Sequence, residues 1–237
     1  MQQVFEFPIA QVCSFDNFIS CDGNALALQF ARRLVSDSDP ENLLYIHGPS
    51  GSGKTHLLTA IAGVLGSDRQ GAIPCFSFRD AAAVPDFGRL FSASPLLLID
   101  DLHLIPDSER LRSSLWQVFN DFHSSGRRVA LAGLYPPREL PNIDDHLVSR
   151  LLWGLLARVD VSDDHSRLMI LKKLAHDRQV RIPDEVCEFI LVTTSREAGD
   201  LIRTFDGLCR YSLVSKRKLS LALARECREF MRAGESV

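Results

Sequence analysis

Residues 47–56 read HGPSGSGKTH and stand between the apolar run NLLYI and the segment LLTAIAGVL. Gly48, Gly53, Lys54 and Thr55 satisfy G-x-x-x-x-G-K-[ST], the phosphate-binding loop of nucleotide enzymes. Such a loop works in one setting only. A strand must deliver it, and a helix must leave from it with its positive end aimed at the phosphates. The glycines let backbone N–H groups curl round phosphate oxygens, Lys54 brings a point charge to the β- and γ-phosphates, and the Thr55 hydroxyl is a magnesium ligand. Gly48, Pro49, Ser50, Gly51, Ser52, Gly53, Lys54, Thr55 and His56 are therefore the expected contacts to ATP or ADP with Mg2+.

The rest of the chain supplies that setting. LLYIH leads into the loop, and residues 73–78 (IPCFSF), 95–100 (PLLLID), 127–133 (RRVALAG) and 154–161 (GLLARVDV) read as further strands. Helical stripes lie between them, including Leu57, Leu58, Ile61, Val64 and Leu65 after the loop, and Leu111, Leu115, Val118 and Phe122. Strands alternating with helices imply an α/β layer on a parallel sheet. Beyond Val161 the pattern is helical throughout, with Leu201, Phe205, Leu208 and Ser212 along one face and Asp184 after Pro183 at a helix start. A nucleotide-binding domain over 1–161, opening on an extended segment over 1–14, is thus expected to precede a small helical domain over 162–237.

A phosphate loop needs a carboxylate at the end of a neighbouring apolar strand, and LLLIDD offers two. Asp100 is placed to hold magnesium, usually through water. Asp101 either polarises an attacking water or caps the loop that follows.

A net charge of −3 offers no global field for nucleic acid. The six cysteines are scattered without a C-x-x-C pair, so reduced thiols are expected rather than disulfides or zinc. The opening MQQVFEFPIAQ is unlike a secretory leader, and no apolar run approaches the roughly 20 residues of a membrane span. A cytoplasmic address is the expectation. The histidines and both tryptophans show no ligand spacing and are expected to be structural.

The succession of the phosphate loop, LLLIDDLHLI, YPPRELP, LVSRLLWGL and RIPDEVCEFI resembles the ATPase core of the bacterial replication initiator family, DnaA, and CSFDNFI resembles that core's opening segment near the adenine. The resemblance runs from about Phe15 to the end. It implies an AAA+ module, a parallel αβα sheet with a helical lid. It implies that Arg150 is an arginine finger reaching a neighbouring subunit's nucleotide, which neutralises charge on the transferring phosphate. By that resemblance no counterpart of the initiator's DNA-reading C-terminal domain is expected, and residues 79–94 are expected to be too short for the helices that engage single-stranded DNA. The Hda branch, truncated paralogues that work with the DNA-loaded sliding clamp to make DnaA hydrolyse ATP, fits better, and KRKLSLALAREC resembles its ending. Gln2, Phe5 and Phe7 match its clamp-binding peptide, although Gln3 replaces the usual leucine; they equally suit a strand packed on its own domain.

The resemblance thus implies DnaA and the sliding clamp as partners, with self-association open. Two departures imply weak intrinsic hydrolysis. Leu134 stands where the family has a polar γ-phosphate sensor, and Gly199 stands where it has a lid arginine, with Arg203 about one helical turn further on. The phosphate loop is complete where Hda's tends to be degraded. Lys216, Arg217 and Lys218 read as a solvated turn or a weak DNA contact. The competing reading is an ATPase that loads helicase or remodels single-stranded DNA.

Overall fold

The computed structural model describes residues 13–37, 41–67, 72–79 and 86–234. The N-terminal peptide with Gln2, Phe5 and Phe7 lies outside them. Five parallel strands, β1 (Leu43–His47), β2 (Cys75–Ser77), β3 (Leu96–Asp100), β4 (Arg128–Gly133) and β5 (Leu155–Arg158), lie in the order β2-β3-β4-β1-β5. Every residue of β3 is buried, which is why LLLID is apolar continuously rather than alternately.

Alternate residues still face opposite layers. Leu44, Ile46, Leu96, Leu98, Ala130 and Ala132 join the core beneath α1 (Ala25–Val35) and α2 (Lys54–Gly66). Leu43, Tyr45, Leu97, Ile99, Val129 and Leu131 join the core beneath α3 (Phe87–Phe91), α4 (Glu109–Ser124) and α5 (Asp145–Leu151). The C-terminal helices α6 (Asp164–Asp177), α7 (Asp184–Thr193), α8 (Ala198–Ser215) and α9 (Leu221–Gly234) add Ile170, Val186, Leu201, Phe205 and Leu223 to the first core. The α/β sheet with a helical C-terminal region, expected from the pattern, is what forms. Apolar packing continues across Val161, where strands give way to helices.

Two strands are shorter than the runs that announced them. β2 begins only after Pro74, which carries no N–H for a ladder. β5 ends at Arg158 because, after Val159 donates to His47 O, the Asp160 N–H turns to Gly23 O instead. In the segment linking β2 and β3, the described helix is the single turn α3, capped by Asp86 accepting from Arg89 N. All six cysteines are free, and among the described residues no helix is long and apolar enough to cross a membrane.

Among the described residues the most deeply buried charged side chain belongs to the lid. Arg167 of α6 is 1% exposed. Its guanidinium donates to Asp164 Oδ1 at 3.1 Å, to Thr194 Oγ1 at 2.7 Å and to Ser195 O at 2.9 Å. It therefore ties α6 to the loop that leads from α7 into α8. Arg167→Ala removes the donor to Thr194 Oγ1 and Ser195 O and leaves an unfilled space, while Asp164 keeps Arg196, and is expected to destabilise the protein by about 3–4 kcal/mol in urea unfolding.

Candidate nucleotide site

β1 delivers the chain to Gly48 and α2 leaves from Lys54, so the strand–loop–helix setting is met. Gly48 and Gly51 adopt φ of +151° and +69°, open to glycine at little cost. Neither position has room for more. A Cβ at Gly48 would lie 1.9 Å from Val159 O, and one at Gly51 would lie 2.9 Å from Gly199 N at the start of α8. The loop is thus pinned between β5 and the lid.

Lys54 is buried, and its Nζ donates to Gly48 O at 2.8 Å and to Pro49 O at 2.7 Å. An ammonium has three N–H groups, so one remains for a ligand. Burial pushes the Lys54 pKa down, Asp100 and Asp101 oppose the shift, and Arg79 adds to it. Ser52 Oγ is buried without a partner among the described residues. Pro49 and Ser50 lie exposed on the loop's outer side.

Thr55 Oγ1 donates to Asp100 Oδ2 at 2.5 Å, and Asp100 Oδ1 accepts from Asp101 N at 2.7 Å. Hydroxyl and carboxylate are oxygen donors of the kind a hard divalent cation takes. Asp101 is placed differently from its neighbour. It adopts φ of +51° and pairs with Arg79, Nε to Oδ2 and Nη2 to Oδ1 both at 3.1 Å, while Ser77 Oγ donates to Oδ2 at 3.0 Å. Burial would raise its pKa, but the Arg79 and Ser77 hydrogen bonds outweigh that and hold the carboxyl below its usual value.

Beside the loop is a cleft of about 260 Å³ whose walls include Phe18, Val161, Ile170, Leu174, Ala198 and Ile202. His56 also lines it, with Nε2 against Ser14 O at 2.9 Å and its ring edge-on to Phe18. The opening segment CSFDNFI, the loop and the lid helices α6 and α8 therefore meet at one apolar slot, the form that small-ligand sites take.

Arg150 lies elsewhere, in the last turn of α5. It does not line that cleft, and among the described residues it forms no ion pair. Its guanidinium stacks over the Trp153 ring, 4.7 Å from the centroid, and Trp153 is 68% exposed. In the lid, Gly199 faces the phosphate loop, and the Arg203 guanidinium reaches back to within 3.5 Å of where a Gly199 Cβ would stand. Lys216 caps α8 in the left-handed conformation, and Arg217 pairs with Glu226 at 2.7 Å. Sequence reasoning missed the Arg79 pair and the Trp153 stack, since nothing in the spacing of those residues announces either contact.

Comparisons with known proteins agree with this fold. The sequence model of the bacterial DnaA ATPase domain matches residues 9–73 and 76–158, and that of the Hda lid domain matches residues 164–227. The chromosomal replication initiator protein DnaA of Geobacter metallireducens is 28% identical over 225 residues, covering 90% of this chain and 50% of that protein. The DnaA of Francisella tularensis subsp. novicida is 27% identical over 235 residues, covering 94% and 48%. The chain thus spans about half the length of the curated relatives it matches. Domain III of Thermotoga maritima DnaA superposes with a TM-score of 0.78 at 24% identity, covering 93% of this chain and 97% of that one. The replication initiator DnaA bound to AMPPCP and single-stranded DNA gives 0.74 at 25% identity, covering 92% and 68%.

Proposed function

Since the chain belongs to the bacterial DnaA ATPase-domain family and carries the Hda lid pattern, we propose that it is a nucleotide-binding regulator of replication initiation that promotes ATP hydrolysis by DnaA. Arg150 carries the reading. It stands outside the chain's own cleft, on an exposed helix end, with no ion-pair partner among the described residues. A guanidinium presented in that way is suited to a neighbour's phosphates, where it stabilises transition-state charge. The sliding clamp is the proposed recruiting partner, through Gln2, Phe5 and Phe7.

The chain's own nucleotide, ATP or ADP, is held by residues 48–56. Lys54 meets the phosphates, while Thr55 and Asp100 hold Mg2+, which would offset phosphate charge. Support for this comes from the orphan Ser52 hydroxyl, the spare Lys54 N–H and the glycine cradle. Asp101 is assigned to orienting a water, but both of its oxygens are engaged by Arg79 and Leu134 offers no side-chain donor, so intrinsic turnover is slow. The nucleotide then acts through conformation, and the lid, whose α8 touches Gly51, reports its state. The same finger allows copies of the chain to associate.

The test is DnaA ATP turnover with and without this chain and DNA-loaded clamp. Clear stimulation supports the reading. No stimulation, with rapid turnover by this chain alone and salt-dependent single-strand binding, supports instead a remodelling ATPase. The complete phosphate loop, with Thr55 already on Asp100, is the observation that keeps that second reading.

A further inference from the structure

After Asp101 the chain makes a single 3-10 turn, Leu102–Leu104, which brings His103 onto the end of β4. There the Leu134 N–H donates to His103 Nδ1 at 3.3 Å, and the imidazole stands edge-on to Tyr135, centroids 6.0 Å apart. A neutral ring that accepts at Nδ1 carries its proton on Nε2. Burial pushes the His103 pKa down; Asp101 opposes this, Lys54 and Arg79 add to it, and Asp100 opposes it. The neutral ring is therefore the working form near pH 7.

β4 lies beside β1 in the sheet, with Gly133 opposite His47, so the strand end that holds the imidazole adjoins the start of the phosphate loop. Among the described residues nothing accepts from Nε2. Leu134 cannot offer a side-chain donor, but its backbone N–H orients a side chain that can.

We propose that His103 Nε2–H donates to the terminal phosphate of a bound nucleoside triphosphate, and is the group by which this site tells a triphosphate from a diphosphate. The proposal rests on the reading of residues 48–56 as a nucleotide loop. It gives His103 a role where spacing alone suggested a structural residue.

Calorimetric titration of the full chain with AMPPCP and with ADP, magnesium present, tests it. His103→Ala is expected to weaken AMPPCP about tenfold, the size of one hydrogen bond to a charged group, and ADP by less than about twofold. His103→Gln, which keeps a donor at similar reach, should recover most of the loss. On the wild type, the Nε2 nitrogen resonance should shift with AMPPCP and not with ADP. An unchanged preference in His103→Ala, or equal loss of both nucleotides, overturns the role of His103 and leaves the loop reading intact. Failure of the wild type to bind either nucleotide, or wild-type binding by Lys54→Ala, overturns the loop reading and this proposal with it.

Discussion

Arg150→Ala is expected to abolish stimulation of DnaA, lowering the partner's ATP turnover by about 10³-fold, the lower end of what an arginine supplied in trans contributes. Its own nucleotide affinity should stay within about twofold of the wild type, because Arg150 does not line the cleft. Stability should change little as well. The side chain is only half-buried, and its contact is a stack on an exposed tryptophan, about 0.5–1 kcal/mol at such a site. That separation makes the measurement decisive. A variant that still stimulates fully sinks the finger, whereas one that loses nucleotide or unfolds says that Arg150 does something else. Arg150→Lys should fall near Ala, since an ammonium neither stacks on Trp153 in the same way nor presents a fork to phosphate oxygens.

Lys54→Ala is the second large effect. Nucleotide affinity should fall by about 10²-fold or more, because a buried cation meeting phosphate works at a low effective dielectric. The unliganded protein should not suffer in proportion. Burial lowers the Lys54 pKa, so the fold holds the charged form against a desolvation cost that Asp100 and Asp101 only partly offset. A thermal melt separates the two effects. Added nucleotide raises the wild-type midpoint by mass action, and the Lys54→Ala midpoint should stay where it was. A variant that melts far below the unliganded wild type, or still shifts with nucleotide, contradicts this account.

Much of the site was legible because it is local. Residues 47–56 carry the strand–loop–helix grammar in consecutive positions, and LLLID is continuous enough to mark a covered strand ending on Asp100. The lid helices announce themselves by apolar spacing, down to Asp184 as the first residue of α7. What stayed hidden is what folding brings together across distance. Arg79, in a segment read as a linker, closes on Asp101 22 residues later. His103 and Leu134 belong to different strand ends and meet only because β3 and β4 are neighbours. HSRLM reads as part of a helix, and nothing in its spacing marks Arg167 as one of the most buried side chains. Strand lengths were overread where backbone donors were missing or diverted, at Pro74 and Asp160.

The contact of Gly199 with Gly51 has a mechanical consequence. α8 has 18 residues, a rod about 27 Å long, and one end of it rests on the loop. With no side chain on either glycine, the pivot is backbone on backbone. A rotation of about 10° there sweeps the far end, at the Lys216 cap, through about 5 Å. The helix is a lever with its fulcrum at the glycine loop, and a change too small to see at Gly51 becomes a displacement of several ångströms at Lys216.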